Sequence, residues 1–451
     1  MKPTYHTLPQ SNSDDETILE LQSSDAESSS EDANDSSSSD DDFSTTTDEP
    51  PSPEGTSSMW KATMNLVNYI EGIGFLSLPY AIKIGGITAV ISLVVMPIIC
   101  WYTGMVVVEC LYDSHEKKGR IRTRSTWKQL GDAISPKYGG KIVAWNQDIG
   151  FISLASSYLI LCGSLMSHAL PFVPLTQAAW TCCAAAIVLP TVFLKTYSQI
   201  AWLSTVSVFA IGLTVATTLW YGVDHINQWD ASTVMFWDLE GVFTSLSIIL
   251  HSYGAVPIVP SVEQSLRDGT KFGKVLASAQ FITMLFKIIL SLCGFFSFGF
   301  NTDEILVNNF PPGAIRISIS VIFVVSALFS FALCVYPVVE SLEESAFFSR
   351  ITSKLSNIAR DVIFRLSLVI LSLAIAVLLP HFALITALVG SVSSVVTSFW
   401  IPFAAHLKVK YQELSRFEIC VDVTILVLSS VFSVFGTYSS IKVLVEAKMK
   451  G

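Results

Sequence analysis

Charged side chains are scarce in this chain. Only 14% of its 451 residues are Asp, Glu, Lys or Arg, whereas 51% are hydrophobic. A soluble domain carries about 25% charged residues, so this composition excludes a soluble protein of this length. The apolar runs reach the roughly 20 residues that a helix needs to cross a bilayer. The composition therefore predicts an all-α polytopic membrane protein.

The motifs of enzymes and metal sites are also missing. The sequence contains no CxxC, HExxH, GxSxG or Walker pattern, which argues against an ATP-driven pump and against an enzyme. None of its eight cysteines lies in a clear polar loop, so no disulfide framework is indicated. Nothing resembles a nucleic-acid-binding surface. We therefore expect no metal, no cofactor and no nucleic-acid partner.

Basic residues are nearly absent from the first 58 positions, which hold fifteen Asp and Glu against one Lys. We predict that 1–58 is a disordered, acidic, cytosolic tail. It lacks the basic start and the apolar core of a signal peptide. Tyr5-His-Thr-Leu8 fits a tyrosine-based sorting signal, and Ile18-Leu19 follows acidic residues as in a dileucine signal. Such signals bind clathrin adaptors and favour an internal compartment.

Eleven apolar segments follow the tail and predict a transmembrane domain over 59–447. They run over 60–81, 85–111, 142–170, 176–194, 199–221, 241–261, 273–300, 313–340, 361–380, 382–405 and 417–444. The ninth and tenth are separated only by Pro380-His381, which leaves nine or ten spans open. With a cytosolic tail, the loops on its side carry 19 Lys and Arg, and the opposite connecting loops carry Lys83 and Arg316. This asymmetry predicts a cytosolic N-terminus.

The first apolar segment contains groups that an uninterrupted membrane helix avoids. Gly72 and Gly74 let the backbone leave helical geometry, and Pro79 removes an amide donor. Glu71 is costly in hydrocarbon unless it faces protein, water or a ligand. The sixth segment has a matching interruption at Gly254, followed by two prolines. Two interrupted segments five helices apart are typical of an inverted-repeat transporter with a midplane site. A kinked helix whose glycines only permit close packing is the alternative.

An ordered set of short motifs extends over nearly all of the apolar region. The motifs are Asn68 through Gly72, Leu78-Pro-Tyr-Ala81, Gly85-Gly86, Tyr102-Thr-Gly104, Cys110-Leu-Tyr112, Leu189-Pro, Phe193-Leu-Lys195, Val259-Pro-Ser261 with Glu263, Asn309, Pro312-Gly, Ile315-Arg316, Pro380-His-Phe-Ala-Leu384, Gly390-Ser391 and Phe417 through Asp422. By these motifs the chain resembles the amino acid/auxin permease superfamily, and within it the branch that loads GABA and glycine into synaptic vesicles. It departs from that branch at Glu71, His251 and Lys83, where the branch leads us to expect Gln, an apolar residue and His.

The resemblance implies both a fold and a mode of transport. The implied fold is the leucine-transporter type: two inverted five-helix repeats, broken helices 1 and 6, and an eleventh helix. The implied transport is driven by the proton electrochemical gradient. An amino acid zwitterion needs amides for its carboxylate, which half-helix ends supply, and carbonyls or the Glu71 carboxylate for its ammonium. The candidate substrate-binding residues are Gly72, Ile73, Gly74, His251, Ser252, Tyr253 and Gly254.

Four residues are candidates for proton coupling. Glu71 qualifies because buried carboxylates take up protons within the physiological pH range. Lys287 lies inside the seventh segment and can neutralise Glu71, while His251 is a type of residue that titrates near neutral pH. Asp148 is a further acid within an apolar segment. Bland alternatives are a structural pairing of Glu71 with Lys287, snorkelling of Lys287, packing of His251, and a position of Asp148 near the cytosolic end.

The sequence therefore predicts a secondary active transporter of small neutral amino acids such as GABA or glycine. Its expected partners are the amino acid, protons and the lipid bilayer, and its expected place is a vesicle membrane. A proton-coupled permease of the plasma or lysosomal membrane is the alternative of the same class. An amino acid sensor with a transporter fold, which signals through the acidic tail, is the alternative of another class.

Overall fold

The computed structural model describes residues 55, 57–115, 119–193, 201–229, 234, 239–344 and 356–450. The helices all belong to one structural unit, Glu54–Gly451. The candidate sorting residues Tyr5, Leu8, Ile18 and Leu19 lie outside the described residues, as does the predicted tail up to residue 54.

Helices dominate the described chain. In chain order they are α1 (Met59–Ile70), α2 (Leu78–Leu111), α3 (Trp127–Ile134), α4 (Gly139–Ala169), α5 (Gln177–Thr191), α6 (Ala201–Asp224), α7 (Leu239–Ser252), α8 (Val259–Ser265), α9 (Phe272–Phe298), α10 (Ala314–Glu344), α11 (Asn357–Leu378), α12 (Phe382–Val409) and α13 (Arg416–Lys450). Two π-helical turns, Gly390–Ser394 and Val396–Trp400, lie within α12. Strands β1 (Tyr112–His115) and β2 (Gly119–Arg122) form an antiparallel hairpin in which Tyr112 faces Arg122.

Several helix starts follow from side-chain caps. The hydroxyl of Ser58 accepts from the Lys61 amide at the start of α1, and Ser356 begins α11 in the same way. Thr126 and Gln129 form a reciprocal capping box at α3. Such caps satisfy amides that have no partner within the helix and favour these starting points.

Eight helical stretches among the described residues are long and apolar enough to cross a membrane. The first and second expected segments meet within α2, where Gly86 has a φ of 56° and marks a kink. Pro380-His381 does separate two helices, because α11 ends at Leu378 and α12 begins at Phe382. Since α5 has only 15 residues and α6 is described in part, the count of eleven spans stays a prediction.

Glycines bring the central helices close together. A Cβ at Gly85 would lie 2.4 Å from the Ser245 hydroxyl oxygen, so α2 and α7 approach there without a side chain between them. A Cβ at Gly390 would lie 2.0 Å from the carbonyl oxygen of Ser247, which joins α12 to α7 in the same way. Close approach through small residues drives helix association in membranes, where burial of apolar surface gains little. Helix α7 is thereby packed against α2 and α12, while α1 packs against α9.

Candidate functional site

The first break lies where the sequence predicts it. Helix α1 ends at Ile70, and Glu71 and Gly72 precede a short 3-10 helix, Ile73–Ser77. A Cβ at Gly72 would lie 3.6 Å from the Tyr69 carbonyl oxygen, which is an ordinary contact. Close packing therefore does not require glycine at this position. The first amides of the 3-10 helix have no partner within that helix, which leaves donors at the break.

The second break follows α7. The chain leaves the helix after Ser252, passes through Tyr253 and Gly254, and resumes in the 3-10 helix Val256–Ile258 and then α8. The Tyr253 hydroxyl donates to the Leu93 carbonyl oxygen at 3.0 Å, which anchors this break to α2. The structure thus contains both interruptions that the sequence predicts.

Lys287 connects the two breaks. Its ammonium, on α9, donates to the carbonyl oxygen of Ile70 at 3.0 Å and also to the carbonyl oxygen of Ser252. It lies 4.4 Å from the centre of the Tyr253 ring, and the residue is only 1% exposed. Carbonyls at helix C-termini carry partial negative charge, so a cation is favoured where two such ends meet. Lys287 therefore holds the ends of α1 and α7 together.

A cavity of about 400 Å³ adjoins both breaks. Its walls come from the first break, from the end of α7, and from one face each of α4, α6 and α10. They are Asn68, Tyr69, Ile70, Glu71, Gly72, Ile73, Gly74, Phe75, Phe151, Leu154, Tyr158, Ile211, His251, Ser252, Gly254, Phe323, Ser326, Ser330, Leu333 and Cys334. Aromatic walls with a few polar groups are typical of small-molecule sites.

Glu71 is an unusual member of this wall. The residue is 8% exposed, and its Oε1 atom has no hydrogen-bond partner in the described part of the chain. Lys287 does not form an ion pair with it within 4.0 Å, although the two residues are close enough to interact electrostatically. A buried carboxylate without a charged partner is costly, so this atom is available to a ligand or a proton.

A smaller cavity of about 130 Å³ lies beside the first and shares Tyr69, Phe151 and His251 with it. Its other walls are polar residues of α4 and α12, among them Gln147 and Ser394. The Nδ1 atom of His251 is 3.1 Å from the Ser394 hydroxyl oxygen. His251 thus stands between the two cavities and is bonded to α12.

Most of the residues singled out in the sequence come together here. Gly72, Ile73, Gly74, His251, Ser252 and Gly254 line the larger cavity together with Glu71, while Tyr253 and Lys287 pack behind its wall. Asp148 lies elsewhere: it accepts from the Ser341 hydroxyl at 2.7 Å. It is not among the described residues that line either cavity.

Sequence reasoning missed the walls that α4 and α10 supply. Phe151, Leu154 and Tyr158 are spaced three and four residues apart, as are Phe323, Ser326 and Ser330. Such spacing places residues on one helix face. The pattern was therefore visible, but it does not say which face borders a cavity rather than another helix.

A charged cluster, here called the α8 cluster, consists of Tyr112, Arg122 and Glu263. It lies at α8, which continues the chain after the second break. The Nη1 atom of Arg122 lies 2.8 Å from a Glu263 carboxylate oxygen, and its Nη2 atom donates to the Pro260 carbonyl oxygen at 2.9 Å. The Tyr112 hydroxyl donates to Glu263. Burial, together with this hydrogen bond, raises the pKa of Tyr112 to about 12, so the phenol stays a donor at neutral pH. The hairpin of β1 and β2 is thereby joined to α8.

A second cluster, here called the loop cluster, joins the segment after α9 to the start of α12. The Glu304 carboxylate lies 2.8 Å from His381 Nδ1 and accepts from the Ala383 amide at 3.0 Å. Lys83 donates to the Thr302 carbonyl oxygen at 2.9 Å. The hydrogen bond that Glu304 accepts from His381 raises the pKa of His381, while burial lowers it. The loop is therefore held to α2 and α12 by charged groups.

Long apolar helices, two of them interrupted beside a cavity with aromatic walls and a few polar groups, define a membrane transporter of the leucine-transporter type. The chain matches the family described as transmembrane amino acid transporter protein over residues 55–442, and it belongs to that family. This confirms the resemblance inferred from the sequence motifs. It also confirms that the protein is a transporter rather than an enzyme.

The relatives agree with this assignment. The chain is 30% identical over 404 residues to the vesicular inhibitory amino acid transporter of Xenopus laevis, covering 86% of this chain and 77% of the relative. It is 26% identical to the vesicular GABA transporter of Caenorhabditis elegans, covering 86% and 80%. Among solved structures, the inward-facing conformation of Mhp1 is similar with a TM-score of 0.53 at 11% identity, over 87% of this chain and 90% of that one. This last similarity concerns the fold alone.

Proposed function

We propose that the protein is a secondary active transporter that moves small neutral amino acids across a vesicle membrane, driven by the proton electrochemical gradient. The observation that carries the proposal is the cavity beside two helix breaks that Lys287 joins, in a chain of the amino acid transporter family. Its volume of about 400 Å³ suits a small solute, because ligand sites commonly enclose about 300–1,000 Å³. The names of the relatives favour an inhibitory amino acid such as GABA as substrate, and the sequence resemblance adds glycine.

The first break supplies the partner for the substrate carboxylate. Gly72, Ile73 and Gly74 line the cavity at the start of a 3-10 helix, and we assign their amides to the carboxylate because an anion is favoured at such a start. The ammonium group binds elsewhere in the same cavity, at the end of α7 or at Glu71. Phe151 and Phe323 limit the length of the side chain that the cavity accepts.

Proton coupling falls to groups at the breaks. Glu71 and His251 line the cavity, and Lys287 lies directly behind it, so each is placed to respond to a bound ligand. Asp148, bonded to Ser341, is the remaining candidate. We place the N-terminus in the cytosol, where the tail can meet clathrin adaptors.

Uptake into proteoliposomes tests this function. The full-length protein is reconstituted, the lumen is acidified, and uptake of labelled GABA, glycine, alanine and glutamate is measured with and without a proton ionophore. We expect GABA or glycine to accumulate and the ionophore to abolish the accumulation. Uptake that the ionophore leaves unchanged for every substrate would refute proton coupling, and absence of uptake for all four would refute the proposed substrate class.

A comparison of the full-length protein with a chain that lacks the tail distinguishes a transporter from a sensor. A chain that lacks residues 1–58 should retain the full uptake rate in the same vesicles, because the cavity is built from residues 68–334. In cells, the same truncation should move the protein from vesicles towards the plasma membrane. Unchanged location would remove the tail signals from the proposal while leaving transport intact.

A further inference from the structure

Four carbonyl groups at the two breaks already accept hydrogen bonds. The carbonyl oxygens of Ile70 and Ser252 accept from the Lys287 ammonium. The carbonyl oxygen of His251 accepts from the Gly254 amide at 3.3 Å, and that of Tyr253 accepts from the Ala255 amide at 2.8 Å. A substrate ammonium that entered the cavity would therefore compete with existing donors at each of these carbonyls. Lys287 acts as a cation fixed to the protein at the place where the backbone is most negative.

Glu71 offers an acceptor that stays open. Its Oε1 atom has no hydrogen-bond partner among the residues that the structure describes, and the side chain forms part of the cavity wall. The residue is more than nine-tenths buried, so water does not fully solvate the charge. An anion in this position is stabilised either by a proton, which removes its charge, or by a cation that enters the cavity.

The neighbours of Glu71 from other elements do not replace it as an anionic site. Lys287 on α9 is a cation held by two carbonyls, and His251 on α7 is bonded to Ser394. Tyr158 on α4 and Cys334 on α10 line the cavity with a phenol and a thiol, groups that are ordinarily protonated near neutral pH. Tyr253, the remaining phenol, donates its hydroxyl hydrogen to the Leu93 carbonyl oxygen.

We propose that Glu71 is one shared site for the substrate ammonium and for a proton, so that the two exclude each other and coupling is an exchange. This inference rests on the proposed function and specifies its mechanism. On the neutral side, the Glu71 carboxylate binds the ammonium group of the amino acid while the amides of the first break hold its carboxylate. On the acidic side, a proton from water passes to Glu71, and the zwitterion leaves with its own protons.

The return step completes the exchange. The protein goes back with a neutral, protonated Glu71, which avoids carrying an unpaired carboxylate through the closed state. On the neutral side this proton passes to water, and Glu71 is again free to bind an ammonium group. One proton leaves the acidic compartment for each amino acid that enters it. Lys287 has no part in this exchange, because its ammonium is bonded to the carbonyl oxygens of Ile70 and Ser252.

The direction of proton movement on binding tests the proposal with the wild-type chain alone. The full-length protein is placed in weakly buffered detergent solution at pH 5 to 6, and glycine or GABA is added while a pH-sensitive dye is recorded. We expect proton release, because the entering ammonium displaces a proton from the carboxylate. Proton uptake on binding, or binding without any proton change across pH 4.5 to 8, overturns the shared site.

Variants of Glu71 assign the released proton to one residue. In wild type, the apparent Kd for glycine or GABA should rise by up to tenfold for each unit by which the pH falls below the pKa of Glu71. Glu71→Asp should keep this slope, whereas Glu71→Gln should bind more weakly and lose it. Glu340→Gln is the matched control, since Glu340 is an exposed glutamate outside both cavities. A Glu71→Gln protein that keeps wild-type affinity and slope contradicts the proposal.

The experiments distinguish failure of the proposed function from failure of the shared site. If neither glycine, GABA nor alanine binds or is transported by wild type, the proposed function is wrong and the shared site falls with it. If the amino acids are transported but binding moves no proton, only the shared site is wrong. N-acetylglycine, which lacks the ammonium group, should not compete with glycine, and effective competition by it would also count against Glu71 as the ammonium partner.

Discussion

Glu71 and Glu263 are two buried glutamates with opposite surroundings. Glu263 is 3% exposed, faces Arg122 at 2.8 Å and accepts from Tyr112. Glu71 is 8% exposed and has no such partners in the described chain. A buried charge that faces an opposite charge fixes the elements that carry it, whereas one without a charged partner is costly until something else enters. Glu263 therefore holds α8 in place, whereas Glu71 stays available to a ligand.

The largest effect on uptake is expected from substitution of Lys287, which joins the two breaks beside Glu71. Lys287→Met removes a charged donor from two carbonyls, each such bond being worth about 1.5–3 kcal/mol. We expect uptake to fall more than 100-fold, with loss of substrate binding in the purified protein. Lys61→Met, a change of an exposed lysine on α1, is the control and should leave uptake unchanged.

An active Lys287→Met protein would show that the breaks keep their geometry without this cation. The different surroundings of Glu71 and Glu263 would then not depend on Lys287. Lys287→Arg sharpens the same point: the guanidinium is a donor of different shape, and we expect partial function at best.

A smaller effect is expected at the α8 cluster. Glu263→Gln or Arg122→Gln breaks a largely buried ion pair and should destabilise the packing of the hairpin on α8 by about 3 kcal/mol. The measurement is hydrogen–deuterium exchange at residues 119–122 and 259–265, which should become about 100-fold faster, since a factor of ten corresponds to about 1.4 kcal/mol. The double variant should lose less than the sum of the single variants. Additive losses would show that the two side chains do not act on each other, and Glu263 would cease to be the paired member of the comparison.

The sequence predicted the paired breaks but not the difference between these two glutamates. Gly72, Gly254 and the prolines near them disrupt helices through local backbone chemistry, so the interruptions are visible without a structure. The partners of Glu263 come from residues 112 and 122, more than 140 positions away. Only the three-dimensional packing of the hairpin on α8 brings them together.

Lys287 illustrates the same limit inside the site. Its position in an apolar segment marks it as a residue that needs a partner, and pairing with Glu71 was the natural expectation. The structure gives it main-chain carbonyls instead, at 3.0 Å from Ile70 and in contact with Ser252. Backbone acceptors have no sequence signature, because every residue carries one. The freedom of Glu71 could therefore not be read from the chain.

The loop cluster adds a paired glutamate at a partly exposed position. Glu304 raises the pKa of His381 above its ordinary value of 6.5, so its stabilising effect is complete below that pH and is lost as the pH rises through the raised pKa. We expect a contribution of about 1 kcal/mol, since both side chains are partly exposed. The melting temperature should therefore fall between pH 6 and pH 9 more in wild type than in Glu304→Gln. Equal decreases in both proteins would show that the pair contributes nothing.

The smallest effect is expected at Asp148, an acid whose surroundings are intermediate between those of Glu71 and Glu263. It is half-buried and has one neutral partner, the Ser341 hydroxyl at 2.7 Å, and it does not line either described cavity. Asp148→Asn keeps an oxygen that accepts from Ser341, so uptake should change less than about twofold, the range of one weakened hydrogen bond. The pH dependence of uptake should also stay that of wild type. A shifted pH profile in this variant would place Asp148 on the proton route, and the contrast between a paired and an unpaired glutamate would no longer account for coupling by itself.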